Sequence, residues 1–397
     1  MKLLKELLST SPTRALLSIL MGFLVGAIFM MVSGDEVGEA LDQGGVGDAL
    51  WAAVLTVADG YSALFRGSIF NNRADDVVAA IRPMTETLRL GAPLIAAGLG
   101  ISLGFRVGLF NIGGNGQMIF GILWATWVST RMELPIILHM VVALVVAILG
   151  AALWGALVGF LKAKTGAHEV ILTIMLNYVS IYLFTWFIRS PNLLQQVEAG
   201  GTPKSDAPAL TAQLPQLVPG VYSLHLGFLL AVAAAITYWW LMERSAVGYR
   251  FRMVGHNPNA ARTAGISVER TYILAMAVSA AFLGVAGANQ ALGTQVPYTE
   301  TIHSGIGFDG ITVALLGGGN ALGIFFAGLL FGAFKAGGPQ MQVIGISPDV
   351  LGIVQGAIVL FIAAPPLVRA IFRLPVFANT PALDSFRARF SRKGVSE

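Results

Sequence analysis

The chain has 397 residues, of which 55% are hydrophobic and 12% charged, and its mean hydropathy is +0.74. A soluble domain carries about twice that share of charge, and repeated apolar runs of about 20 residues indicate a polytopic α-helical membrane protein rather than a β-barrel of short alternating strands. The absence of cysteine excludes disulfides, thiolate metal sites and a Cys nucleophile, and the net charge of +4 sits in loops flanking apolar runs, where it sets orientation rather than signalling nucleic acid.

Lys2, Lys5 and Arg14 precede the first apolar run, Ala15 to Val32. The run is long for a signal peptide and no A-x-A site follows it, so it reads as a retained first span. An acidic stretch with Asp35, Glu36, Glu39, Asp42 and Asp48 comes next. The segment Ala49 to Phe70 contains Asp59, Gly60 and Arg66 and reads as an external or re-entrant helix. Further spans are expected at Leu88–Phe105, Phe110–Ser129, Leu134–Leu161 and Val170–Ile188. A polar loop containing Pro191, Pro203, Pro208, Pro215 and Pro219 then separates two halves. The second half holds spans at Leu224–Met242, Tyr272–Leu292, Ile306–Leu316, Ala321–Phe334 and Val350–Ile371.

Ten spans put both termini on one side. The N-terminus, the Lys162/Lys164 turn, the loop 243–270 and the tail from Arg369 onward share that side and hold more than half of the 25 Lys and Arg residues. The positive-inside rule makes it cytoplasmic. Arg66, Arg73, Arg82 and Arg89 fall on the outer side against this rule, accompanied by Asp75, Asp76 and Glu86.

Each half carries a Gly-rich polar break after a long span: Phe110 to Gln117 in the first, Gly305 to Gly310 followed by Gly317-Gly318-Gly319 in the second. Five spans per half make the halves inverted, and inverted repeats with broken helices mark transport pathways. The expected fold is therefore all-α, about ten transmembrane helices in two inverted five-helix halves with broken or re-entrant helices. It forms one transmembrane domain over residues 1–397, with halves 1–190 and 220–373, a basic loop 243–270 and a basic cytoplasmic tail 374–397.

The basic loop contains its own helix. Asn257 is a good N-cap and Pro258 suits the first helical position. Gly265 falls where a left-handed residue ends a helix. The segment Pro258 to Ala264 thus reads as two helical turns with Ala260, Ala261 and Ala264 as a smooth face and Arg262 among its basic residues, a shape suited to docking another protein.

No catalytic constellation is present. There is no P-loop and no H-E-x-x-H, and His139, His168, His225, His256 and His303 are scattered over different segments. The glycines between 317 and 323 read as a tight turn or close packing. What remains is a set of polar residues inside the membrane: Asn111, Asn115 and Gln117; Asn177 and Tyr178; Asn289 and Gln290; and Asp309 beside Phe308. Any one of them could serve as an interhelical hydrogen bond. As a set they outline a polar path with few charges, suited to a neutral polar solute. Arg106 reads as an interface anchor.

The run Gly108 to Gln117 (GLFNIGGNGQ) resembles the "FNIG-x-EGQ" signature of permease subunits of ATP-binding-cassette importers for nucleosides and simple sugars, in the branched-chain amino acid/ribose permease superfamily. Glu169–Tyr178, Val254–Ile266 and Gly305–Gly317 fit the same family in the same order, so the resemblance spans roughly residues 50 to 373. The family's usual Glu in the first signature is Asn115 here. The resemblance implies a permease without cofactor or catalytic residues, placed in the plasma membrane with both termini cytoplasmic. Its implied partners are cytoplasmic ATPase subunits, a second permease subunit in a heterodimer or homodimer, an external substrate-binding lipoprotein, membrane lipid and a nucleoside cargo. It implies that Asn257, Pro258, Ala260, Ala261, Arg262, Ala264 and Gly265 form the coupling helix seated on the ATPase. A ribose-type sugar permease is the alternative cargo reading, and a stand-alone secondary transporter is the rival mechanism.

Overall fold

The computed structural model describes residues 11–196, 203–220, 222–293, 296–364 and 371. Lys2, Lys5 and the basic tail 374–397 lie outside the described residues. Among the described residues the only β-type pairings are isolated bridges, and every longer element is a helix.

In chain order these are α1 (Ser11–Ser33), α2 (Asp35–Gly44), α3 (Val46–Ser68), α4 (Val77–Arg106), α5 (Gly114–Arg131), α6 (Ile136–Thr165) and α7 (Glu169–Arg189). The second half contains α8 (Gly227–Arg244), α9 (Ala246–His256), α10 (Pro258–Thr263), α11 (Val268–Leu292), α12 (Ile306–Leu316), α13 (Ala321–Val343) and α14 (Asp349–Ala363). Six of them, α1, α4, α6, α7, α11 and α13, are long and apolar enough to cross a membrane. Helices α5 and α8 have 18 residues each but carry polar ends, Asn115, Gln117 and Arg131 in one and Glu243 and Arg244 in the other. Helices α12 and α14 are apolar but short.

Helix α4 is the hub and packs against α8, α11, α12 and α13. Its residues from Gly91 to Gly104 are buried without a break, and seven of these fourteen are Gly or Ala, which lets neighbouring backbones approach from every side. It starts at Val77, eleven residues before the expected span, because the Asp76 side chain accepts from the Ala79 N–H at 2.6 Å and caps it. Pro83, Glu86 and Arg89 hide that turn from a reading based on hydropathy. Helices α6 and α11 pack through small residues, with Gly284 against Ala147 and Ala151, and Gly155 against Ala280.

The ends of the bundle differ. At one end Arg106 of α4 meets Glu243 of α8 at 2.6 Å, and Lys162 of α6 meets Glu169 of α7 at 2.6 Å. Helices α9 and α10 fold against this end. At the opposite end the loops after α7 and α11 cover the bundle. There Arg189 pairs with Glu300 at 2.8 Å, Arg131 with Asp206 at 3.6 Å, and Tyr298 carbonyl accepts from the Ser205 N–H at 3.0 Å. Helix α3 lies along α1 and α13, with the Tyr61 hydroxyl donating to the Phe23 carbonyl.

Two spans differ from their expected limits in ways that matter below. Residues 107–113 are non-helical, so α5 begins only at Gly114. Helix α13 does not stop at Phe334 but runs through Lys335 to Val343.

Candidate translocation site and coupling segment

The break between α4 and α5 is held by a closed set of amides. Asn111 Nδ2 donates to Gln117 Oε1 at 2.9 Å and to Ser279 Oγ at 3.0 Å, while Gln117 Nε2 returns a bond to Asn111 Oδ1 at 3.2 Å. The same Oδ1 accepts from the Gly113 N–H at 3.0 Å, and Ser279 Oγ passes its proton to the Gly100 carbonyl at 2.6 Å. All three side chains are buried. Their donors and acceptors face one another, so this knot shapes the break and ties α4, α5 and α11 together.

Helix α5 starts on Gly113, which has no side chain to cap it. Asn177 of α7 supplies the cap from outside: its Oδ1 accepts from the Gly116 N–H at 2.7 Å and its Nδ2 donates to the Ile112 carbonyl at 3.0 Å. Tyr178, the next residue, is 55% exposed on another face of α7.

The second break meets the first. Gly307, in the first turn of α12, sits so close to α5 that a Cβ there would lie 2.3 Å from the Asn115 Cα. Two helix N-termini therefore converge, each a partial positive pole. Asn115 lies at this junction, fully buried, and both its amide atoms lack a hydrogen-bond partner.

Asp309, also in the first turn of α12, is engaged by Lys335 of α13 at 2.8 Å. Lys335 is absent from the sequence-based set. Its own charge was the signal, but the expected span stops one residue before it, at Phe334. Phe308 is 46% exposed beside Asp309.

Asn289 and Gln290 stand apart from this cluster. They lie about 15 Å along α11 from Ser279 at 1.5 Å per residue. Asn289 Nδ2 donates to the Gly227 carbonyl at 2.8 Å and Gln290 Nε2 to the Ile302 carbonyl at 3.1 Å, so they tie α8 and the loop after α11 to α11. Nearby, His225 precedes α8, and burial pushes its imidazole down to about 4. It stays neutral and its Nδ1 accepts from the Gly227 N–H at 3.2 Å.

At the basic end, Asn257 caps α10 as expected, its Oδ1 accepting from the Asn259 and Ala260 N–H groups at 3.0 and 3.1 Å. Pro258 takes the first position, and Gly265 has φ +80°. The helix ends at Thr263, one residue short of the expected Ala264. The expected alanine face is split: Ala261 is fully buried against its own chain, whereas Ala260, Arg262 and Ala264 are exposed. Helical geometry explains this, since residues four apart share a face and Ala261 lies 100° away from Ala260.

A direct contact links this segment to the first break. A Cβ on Gly255 would lie 2.2 Å from the Arg106 carbonyl oxygen. Arg106 in turn holds Glu243 and reaches the Gly319 carbonyl at 3.4 Å, where the Tyr238 hydroxyl also donates at 3.2 Å. These groups line a cavity of about 480 Å³ with Trp239 and Asn320 at the same end of the bundle.

Broken helices that meet at a polar junction, and a capped helix exposed at the basic end, define a membrane-embedded permease. Residues 84–363 match the family described as branched-chain amino acid transport system/permease component. The chain belongs to this family, as its permease component rather than as an enzyme. It is 35% identical to the guanosine ABC transporter permease protein NupP of Bacillus subtilis, over 89% of this chain and 93% of the relative. It is 31% identical to the nucleoside ABC transporter permease protein NupB of Lactococcus lactis, over 88% of this chain and 89% of the relative. It is 32% identical to the glucose ABC transporter permease protein TsgB13 of Haloferax volcanii, over 81% of this chain and 84% of the relative. No solved structure matches the chain.

Proposed function

We propose that this chain is one of two permease subunits of an ATP-binding-cassette importer that carries a nucleoside across the plasma membrane. The observation that carries the reading is likeness to two nucleoside permeases along almost nine tenths of the chain. In this reading ten spans form two inverted halves, 1–190 and 220–373, with α4 and α5 of the first corresponding to α11 and α12 of the second. Both termini and the loop 243–270 are cytoplasmic, where the basic residues gather. Helix α10 seats on a cytoplasmic ATPase through Ala260, Arg262 and Ala264. The external binding protein docks on the loops after α7 and α11.

Asn111, Gln117 and Asn177 keep the first break in shape. Asn115, Phe308 and Asp309 face the solute path, with Tyr178 on the flank of α7 and Asn289 and Gln290 at the outer mouth. Closure of the ATPase dimer moves α10, and the Gly255–Arg106 contact carries that movement to the breaks, switching the permease between outward- and inward-open states. Asp309 is paired with Lys335, which supports a path for a neutral solute over a sodium-coupled site.

A simple-sugar cargo is the second reading, supported by the glucose permease relative. The test is uptake into proteoliposomes holding both permeases, the ATPase and the binding protein. ATP-dependent uptake of labelled nucleoside, unaffected by excess glucose or ribose, is expected. Sugar uptake in its place would establish the second reading, and uptake without ATPase would establish a stand-alone transporter.

A further inference from the structure

Lys335 lies deep within a membrane span. At 1.5 Å per residue it is roughly 21 Å from Ala321 and 12 Å from Val343, the two ends of α13. It meets the Asp309 carboxylate at 2.8 Å, and the two side chains remain 28% and 26% exposed. Charged groups at such depth are costly against lipid and belong beside a water-filled path or a partner. The neighbours on α12 complete the face. Phe308, 46% exposed, precedes Asp309, and half-buried Thr312 follows one turn on. On α12 Phe308, Thr312 and Asp309 fall within about 100° of arc, so one flank of the helix carries a ring, a hydroxyl and a carboxylate, the last joined to the Lys335 ammonium.

We propose that Phe308, Asp309, Thr312 and Lys335 form the point at which the solute is held during passage, and that it is built for a nucleobase bearing a ring N–H beside a carbonyl. The proposal rests on the nucleoside reading above. A planar heterocycle stacks on the Phe308 ring as bases stack on aromatic side chains generally. The ion pair complements the base edge. The carboxylate accepts from the ring N–H, and in guanine from the adjacent amino group as well, while the ammonium donates to the carbonyl oxygen. The solute is neutral and so is the pair, so insertion exchanges one direct contact for a hydrogen bond to each partner and leaves no buried charge alone. Thr312 is placed one helical turn away, in reach of a sugar hydroxyl. A hexose offers neither a planar conjugated face nor a fixed donor–acceptor edge. Adenine has no carbonyl and no ring N–H on its pairing edge.

The experiment uses the complete reconstituted importer and follows guanosine, inosine and adenosine uptake in wild type, Asp309→Asn, Lys335→Met, and the double exchange Asp309→Lys with Lys335→Asp. Each single variant is expected to lower guanosine and inosine uptake about tenfold while changing adenosine uptake much less. The double exchange is expected to restore a stable complex that co-purifies with its ATPase without restoring the preference for oxo-bases, because the partners have traded places against the bound base. Equal losses for all three solutes, or recovery of guanosine uptake by the double exchange, would assign the pair a purely structural role and overturn the proposal. A wild-type importer that moves no nucleoside overturns the nucleoside reading itself, and this proposal with it.

Discussion

Asn111 lies in the break and Asn115 four residues on, in the first turn of α5, and both are completely buried. Asn111 satisfies Gln117, Ser279 and the Gly113 N–H. Asn115 satisfies none of its amide atoms. A buried polar group that loses its partner costs about 1–3 kcal/mol, whereas removing an amide that had no partner relieves as much as it leaves empty. Asn111→Ala is therefore expected to destabilise the permease by about 3 kcal/mol and Asn115→Ala by less than about 1 kcal/mol, read as thermal unfolding in detergent. Equal losses would show that Asn115 is satisfied in the membrane. The two residues look alike in sequence, since both are amides in a Gly-rich run. What separates them is Ser279, 168 residues away, and that pairing is set by how α11 crosses α4.

At the scale of the element, the capping residues of α10 were legible because capping is local: Asn257, Pro258 and Gly265 act within one turn. The face it presents was not, because Ala261 is hidden by a helix packed behind it. A bulky charge at Ala261 would break the chain's own packing, so the exposed Ala260 is the position that tests docking. Gly255 tests the next step. Its Cα rests on the Arg106 carbonyl, and tight packing leaves no room for a methyl group. Gly255→Ala must push α9 off the end of α4 while leaving α10 exposed. It is expected to retain the ATPase but to lower ATP-driven uptake about tenfold, within the usual range of coupling energies. Ala260→Arg is expected to lose the ATPase on co-purification. Retained ATPase with Ala260→Arg, or full uptake with Gly255→Ala, would remove this segment from the coupling route.

For the whole molecule, hydropathy placed most of the helices but not the polar face, because a span expected to stop at Phe334 excludes Lys335. The helix continues because that charge has a partner, and the partner is on a different helix. Likewise the Gly-rich breaks ahead of α5 and α12 are legible in the sequence, and only folding shows that the two helices begin at one junction. The consequence concerns the state of the face formed by α12. If this face borders the path, water reaches Thr312 in one state and leaves it in another; Phe326, 64% exposed among apolar neighbours on α13, is expected to face lipid in both. The chain has no cysteine, so single replacements report without background. Thr312→Cys is expected to react with a charged, membrane-impermeant thiol reagent in the nucleotide-free importer and to react more slowly once ATP closes the ATPase dimer, while Phe326→Cys stays unreactive in both. A Thr312→Cys variant inert in every state would place the path elsewhere, and one whose reactivity ignores ATP would uncouple this face from the ATPase cycle.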